Sequence, residues 1–188
     1  MLLSYVFGTL PSAHFVARRR GFDPTKTGSG NPGATNVYRV VGRQAGLVVF
    51  CADVGKGALA AVAGLIIDGR PLGMACWVAA VVGHVFPLTR RLRGGKGVAT
   101  AGGGSWVLFP LEAACCLILF ALVAKSTKKA SIASLVIAAT LPILVMVLGA
   151  PLEEVLISMG IAGLVVIRHQ SNIRRLIAGS EETWRAKD

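Results

Sequence analysis

Apolar segments alternate with compact basic clusters along this 188-residue chain, and that alternation limits its fold more than any single motif does. The clusters are Arg18-Arg19-Arg20 with Lys26, Arg39 and Arg43; Arg90, Arg91, Arg93 and Lys96; Lys125, Lys128 and Lys129; and Arg168, Arg174, Arg175, Arg185 and Lys187. Acidic or turn-like spots separate them: Asp68-Gly69-Arg70-Pro71, Pro110-Leu111-Glu112, and the run from Gly149 to Glu153-Glu154. Only 15% of the residues are charged and 54% are hydrophobic. Soluble domains carry about 25% charged residues, so the apolar segments belong in a bilayer. Basic loops between apolar spans follow the positive-inside pattern, which accounts for a net charge of +11 without nucleic acid as a partner.

Placing every basic cluster inside and every acidic turn outside gives seven crossings, with the N-terminus out and the C-terminus in. The predicted architecture is all-α, one polytopic membrane helix bundle over 1–188, with spans at 1–17, 44–67, 71–89, 98–109, 111–124, 130–148 and 152–167. The first apolar run precedes its basic cluster, the reverse of a cleaved signal peptide. Spans four and five are shorter than the roughly 20 residues a full crossing usually needs, and are read as two short, broken helices. Gly102-Gly103-Gly104 marks the fourth as irregular. Irregular backbone at membrane depth survives only beside protein or a wet cavity, so a cavity is expected there. Asp53 and Lys56, three apart, are expected to pair and so offset their burial. Cys51, Cys76, Cys115 and Cys116 form no CxxC and no metal spacing, and read as small buried hydrophobes without a disulfide.

Three loops carry candidate chemistry. Gly28-Ser-Gly-Asn-Pro-Gly-Ala-Thr-Asn-Val-Tyr-Arg39 combines glycines that turn backbone N–H groups toward one point with Ser and Asn donors and a guanidinium fork suited to phosphate. Gly94-Gly95-Lys96-Gly97, followed by an apolar helix, has the makings of a phosphate cradle at a helix N-terminus. It fails the nucleotide P-loop in spacing and in the final hydroxyl. Arg168-His169-Gln-Ser-Asn172 puts His169 and Asn172 on one helical face among arginines, and His titrates near neutrality. His14 and His84 receive no catalytic role. No Cys–His arrangement or G-x-S-x-G elbow occurs, and the three histidines are too scattered for a metal cluster. The HxxxxD motif of other glycerolipid acyltransferases is absent too: Arg19, Thr89 and Arg174 stand at the fifth positions after His14, His84 and His169.

Together these loops resemble the acyl-phosphate-dependent glycerol-3-phosphate acyltransferase family of bacteria. The likeness is carried in order by Gly28–Asn36 through Arg39, Asp53-x-x-Lys56-Gly57, Gly83-His84-x-Phe86-Pro87, Gly94-Gly-Lys-Gly-Val-Ala-Thr100 and Arg168-His169-x-x-Asn172 through Arg175-Leu. It implies a seven-helix enzyme of the bacterial cell membrane with its motifs on the cytoplasmic side. The implied reaction joins an acyl group from acyl phosphate to the 1-hydroxyl of sn-glycerol 3-phosphate, the first step of phospholipid synthesis, giving lysophosphatidate and phosphate. No acyl-CoA, acyl carrier protein, cofactor or metal is implied, and functional coupling to an acyl-phosphate-producing enzyme is a natural consequence.

By the same resemblance Ser29, Arg39, Lys96, His169 and Asn172 are catalytic or phosphate-binding. Gly28, Gly30, Asn31, Asn36, Gly94, Gly95 and Gly97 are expected to contribute substrate binding. Arg39 and Lys96 would hold the two phosphates, the glycine backbone would cradle one, and Ser29 and Asn172 would position donor and hydroxyl. Either His169 or the departing phosphate serves as proton acceptor; arginines nearby should lower the His169 pKa. A covalent acyl-Ser29 is disfavoured because no base is evident beside it. The chain departs from the family pattern at Lys125–Ser131 and at Gly55, both away from the candidate catalytic positions. The main rivals are a small membrane transporter of organic phosphates and a lipid-binding scaffold. Transport predicts internal repeats and midplane polar groups from both halves, whereas here the polar groups crowd one face.

Overall fold

The computed structural model describes residues 1–184, so Arg185 and Lys187 of the last basic cluster lie outside the described residues. Those residues form nine α-helices and one 3-10 turn, and no strand. In order they are α1 Leu2–Gly8, α2 Ser12–Arg18, α3 Ala34–Val41, α4 Arg43–Val85, a 3-10 turn Leu88–Arg90, α5 Val98–Leu108, α6 Pro110–Thr127, α7 Ala130–Val147, α8 Leu152–Arg168 and α9 Gln170–Ile177. The outer surface is apolar: Leu3, Ile66, Ile118, Leu122, Val147 and Leu152 are all exposed. Such a surface is stable only against lipid.

Helix α4 is a hairpin rather than a rod. Asp68 and Gly69 leave helical geometry, with Gly69 at φ +67°, and the halves 43–67 and 70–85 pack back on each other through Gly64 against Leu72 and Gly73. This matches the second and third expected spans. The three acidic or turn-like spots meet at one end of the bundle. Arg70 forms a fork with Glu154 (2.5 and 2.8 Å) and lies 5.1 Å over the Phe109 ring. Glu112 and Gly149 line the same small recess. The basic loops collect at the opposite end, as the alternation predicts.

Expectation and structure differ in three places. The first expected span is two seven-residue helices, broken at Thr9–Pro11, because Pro11 supplies no N–H to continue the ladder. Residues 1–8 cross the α4 hairpin with Tyr5 against Gly83, and the Tyr5 hydroxyl donates to Phe86 O and accepts from Leu88 N–H. That end of the hairpin also carries the basic loop. Secondly, Gly102–Gly104 lies inside regular helix α5. A Cβ on Gly103 would strike Val54 O, one on Gly57 would strike Thr100 O, and one on Gly104 would strike the Trp77 ring. The glycines serve close helix contact, as small residues do in membrane interfaces. Lastly, Cys51 and Cys115 are exposed on the apolar surface, while Cys76 and Cys116 are buried as expected.

Trp77 centres the core, fully buried, donating Nε1–H to Ala101 O at 3.0 Å and meeting Phe109 edge-on at 6.0 Å. The expected Asp53–Lys56 pair forms at 2.6 Å with both residues buried. Lys56 Nζ also donates to Leu10 O and Ser12 Oγ, so all three ammonium hydrogens have partners where α1 gives way to α2. A buried charge so satisfied is tolerable; one left unpaired is costly.

Candidate active site

Asn36 builds the first loop. From the start of α3 its Oδ1 accepts from the Ser29 N–H (2.9 Å), and its Nδ2 donates to Pro24 O and Thr27 O at 2.9 and 3.0 Å. Gly28, at φ +58°, lies so close to Asn36 that a Cβ would collide with Oδ1. The Asn36 amide is thus committed to backbone and builds the loop, and Asn36 also lines the cavity. Gly28 and Gly30 shape the turn, while Ser29, Asn31 and Arg39 line the cavity beside it. Among the described residues Ser29 is held by its N–H on Asn36 Oδ1, and no side chain hydrogen-bonds its hydroxyl.

In the second loop, Gly94 N–H donates to Val85 O and Gly95 N–H to His84 O, both at 3.1 Å. Their carbonyls accept from Arg168, which also stacks over Phe86. Both N–H groups are thus committed to backbone, and Gly97 is the glycine of this motif that lines the cavity. The available donors move to the following residues. Gly97, at φ +83°, caps α5 without a side-chain cap, and Gly97, Val98 and Ala99 line the cavity. The α5 N-terminus therefore aims unsatisfied N–H groups at the space beside Lys96. Arg168 is a loop-holding residue rather than a substrate contact.

His169 caps α8 and Asn172 lies in the first turn of α9. His169 Nδ1 lies 2.7 Å from Val165 O. A carbonyl only accepts, so Nδ1 carries the proton and Nε2 of the neutral ring is an acceptor. Burial, reinforced by the Lys96 charge, lowers the His169 pKa to about 4. Lys96 donates to Asn172 Oδ1, and Asn172 Nδ2 donates to Glu181 Oε1 at 2.6 Å. Burial pushes the Lys96 pKa down to about 8 and nearby arginines push the same way, against the opposing pull of Glu181. Burial raises the Glu181 pKa, but donors from Ser131, Asn172 and Arg175 outweigh it and hold the carboxyl below its ordinary value.

Glu181 and Glu182 were not among the sequence candidates. The available signal was a pair of acidic residues directly after a basic motif. Glu182 pairs with Arg39 Nη1 at 2.6 Å, while among the described residues the buried Arg39 Nε meets no acceptor. Trp184 anchors the segment by donating to Ala124 O and Lys128 O and meeting Tyr38 edge-on.

The five expected catalytic residues converge: Ser29, Arg39, Lys96, His169 and Asn172 line one cavity of about 290 Å³, joined by Asn31, Asn36 and Gly97, while Gly28, Gly30, Gly94 and Gly95 stand outside its lining. From this polar mouth it runs between α4, α5, α6, α7 and α8 along Phe50, Trp106, Leu117, Phe120, Ile137 and Leu141. Such a shape, cationic at one end and apolar along its length, suits an amphiphile with an anionic head.

Fold and site define a multi-pass helical membrane protein with a cavity that is cationic at its mouth and apolar along its length. The family model described as glycerol-3-phosphate acyltransferase matches residues 1–179. Proteins named glycerol-3-phosphate acyltransferase from Syntrophomonas wolfei and Geobacter sulfurreducens are each 37% identical, over 96% and 98% of this chain and 93% and 95% of theirs. The fold is similar to a crystal structure of PlsY (YgiH), an integral membrane glycerol 3-phosphate acyltransferase, in its glycerol 3-phosphate form. The TM-score is 0.92 at 31% identity, covering 96% of this chain and 92% of that one. A lysophosphatidic acid form of that protein matches with a TM-score of 0.89. The chain belongs to the glycerol-3-phosphate acyltransferase family.

Proposed function

We propose that this chain transfers a fatty acyl group from acyl phosphate to the 1-hydroxyl of sn-glycerol 3-phosphate, forming 1-acyl-glycerol 3-phosphate and inorganic phosphate. The observation that carries this reading is the continuity of the cavity: cationic donors at its mouth and an apolar groove behind them. The groove takes the acyl chain. Arg39, Lys96 and the α5 N-terminus take the phosphates. The hydroxyl oxygen attacks the acyl carbon, and the bond from that carbon to the phosphate oxygen breaks. His169 Nε2 accepts a hydrogen bond from the hydroxyl and orients it. With the ring pKa at about 4, the departing phosphate is the stronger base and receives the proton. Asn172 fixes Lys96, and Ser29 positions the acyl phosphate.

The basic end of the bundle, and with it the site, faces the cytoplasm of a bacterial cell, in keeping with the positive-inside pattern. Acyl phosphate is a reactive mixed anhydride, so an enzyme producing it is a natural functional partner. Purified protein given palmitoyl phosphate, with and without glycerol 3-phosphate, tests the reading. Phosphate release that requires glycerol 3-phosphate, yields lysophosphatidate and is lost in Lys96→Ala and His169→Ala supports it. No turnover by folded protein refutes it and favours transport or lipid binding.

A further inference from the structure

The segment Ser180–Trp184 leaves α9 and lies across the cavity mouth, and its two carboxylates are held very differently. Glu181 is buried and accepts from Ser131, Asn172 and Arg175. Trp184 is pinned at three points, by two backbone acceptors and the Tyr38 ring. Between these anchors the Glu182 side chain is 50% exposed, with Arg39 as its one hydrogen-bond partner among the described residues. Arg39, at 14% exposure, keeps a buried Nε that meets no acceptor among the described residues. Its fork is therefore only partly engaged: one arm holds a carboxylate, while another donor faces no oxygen. A phosphate has enough oxygens to satisfy both, and a half-exposed carboxylate on a short tether is easily exchanged for it.

We propose that Glu182 is an anion placeholder in this site, a carboxylate that occupies Arg39 until the phosphate of a substrate displaces it. The inference rests on the reading that Arg39 receives substrate phosphate. Glu181 and Trp184 keep the strap in place while the Glu182 side chain swings outward, so exchange needs no unfolding of the segment. The placeholder keeps the guanidinium neutralised at a membrane surface when no substrate is present. Because the carboxylate competes with whichever anion arrives, its cost falls equally on every phosphate ligand of Arg39.

The test is Glu182→Gln, with KM and kcat measured separately for glycerol 3-phosphate and palmitoyl phosphate. Binding of inorganic phosphate is measured alongside by calorimetry. A partly exposed pair predicts that KM for the substrate whose phosphate Arg39 receives falls roughly two- to fivefold. The inorganic phosphate Kd should fall by the same factor, since both displace one carboxylate. The two substrate arms show which phosphate Arg39 takes. Unchanged KM values and unchanged phosphate affinity overturn the proposal. So does a raised KM with a lowered kcat, which would make Glu182 a support that holds Arg39 in position. Phosphate binding needs no turnover: wild-type protein that does not turn over acyl phosphate refutes the acyltransferase reading, while calorimetry still tests the placeholder.

Discussion

If Lys96 holds substrate phosphate as proposed, the acyltransfer rate should be sensitive to mild alkali. Its pKa lies at about 8 because burial disfavours the ammonium. At pH 7 about nine-tenths of the side chains are charged, and at pH 9 about one-tenth, so a step that needs the cation slows roughly tenfold between them. The sign follows from the direction of the shift: a depressed lysine loses its charge as pH rises through the lowered value. This limb belongs to kcat/KM, which reports the free enzyme. A bound phosphate dianion beside Lys96 favours the ammonium and moves the kcat limb upward. Lys96→Arg keeps the cation throughout this range, so its slower reaction should show no such limb. His169, at about 4, stays neutral above pH 5 and adds no limb in the window. The assay is lysophosphatidate formation from palmitoyl phosphate and glycerol 3-phosphate from pH 6.5 to about 9.5, corrected for spontaneous hydrolysis. A kcat/KM that is flat from pH 7 to 9, or an equal fall in Lys96→Arg, would refute the assignment.

Asp53→Asn strips Lys56 of its buried counter-charge and should lower stability by about 3–5 kcal/mol, read as a drop in thermal unfolding temperature in detergent. Adding Lys56→Met should restore much of that loss; no recovery would show that the pair is not the cause. Gly103→Ala forces a methyl onto Val54 O and should cost about 1–3 kcal/mol, whereas Gly160→Ala meets open space and should be near neutral in the same melt. Asn36→Ala removes three hydrogen bonds to backbone, each worth about 0.5–1.5 kcal/mol net, and should loosen the 24–36 loop in hydrogen exchange as activity falls. Protection that survives with activity lost would return Asn36 to direct substrate binding.

Much of this protein is legible from one-dimensional information because a bilayer enforces simple rules. Hydropathy and charge placed six helical segments over 44–167 and gathered the basic loops at one end, since every backbone polar group in lipid must be satisfied within a helix. The five side chains at the cavity mouth were likewise readable, because anion recognition draws on few residue types. The tertiary structure alone decided which donors remain free. Nothing in Gly94-Gly95 announces that both N–H groups are spent on His84 O and Val85 O, or that Arg168 holds the loop from behind. Nor does an Asn within a Gly-rich motif reveal whether its amide faces ligand or backbone. The break at Pro11, the packing purpose of Gly103 and the arrival of Glu181 and Glu182 at the mouth all depend on partners far away in the chain. Sequence fixes which groups exist and which face of the membrane they favour; only the packed structure determines which of them already have partners and which are left to bind substrate.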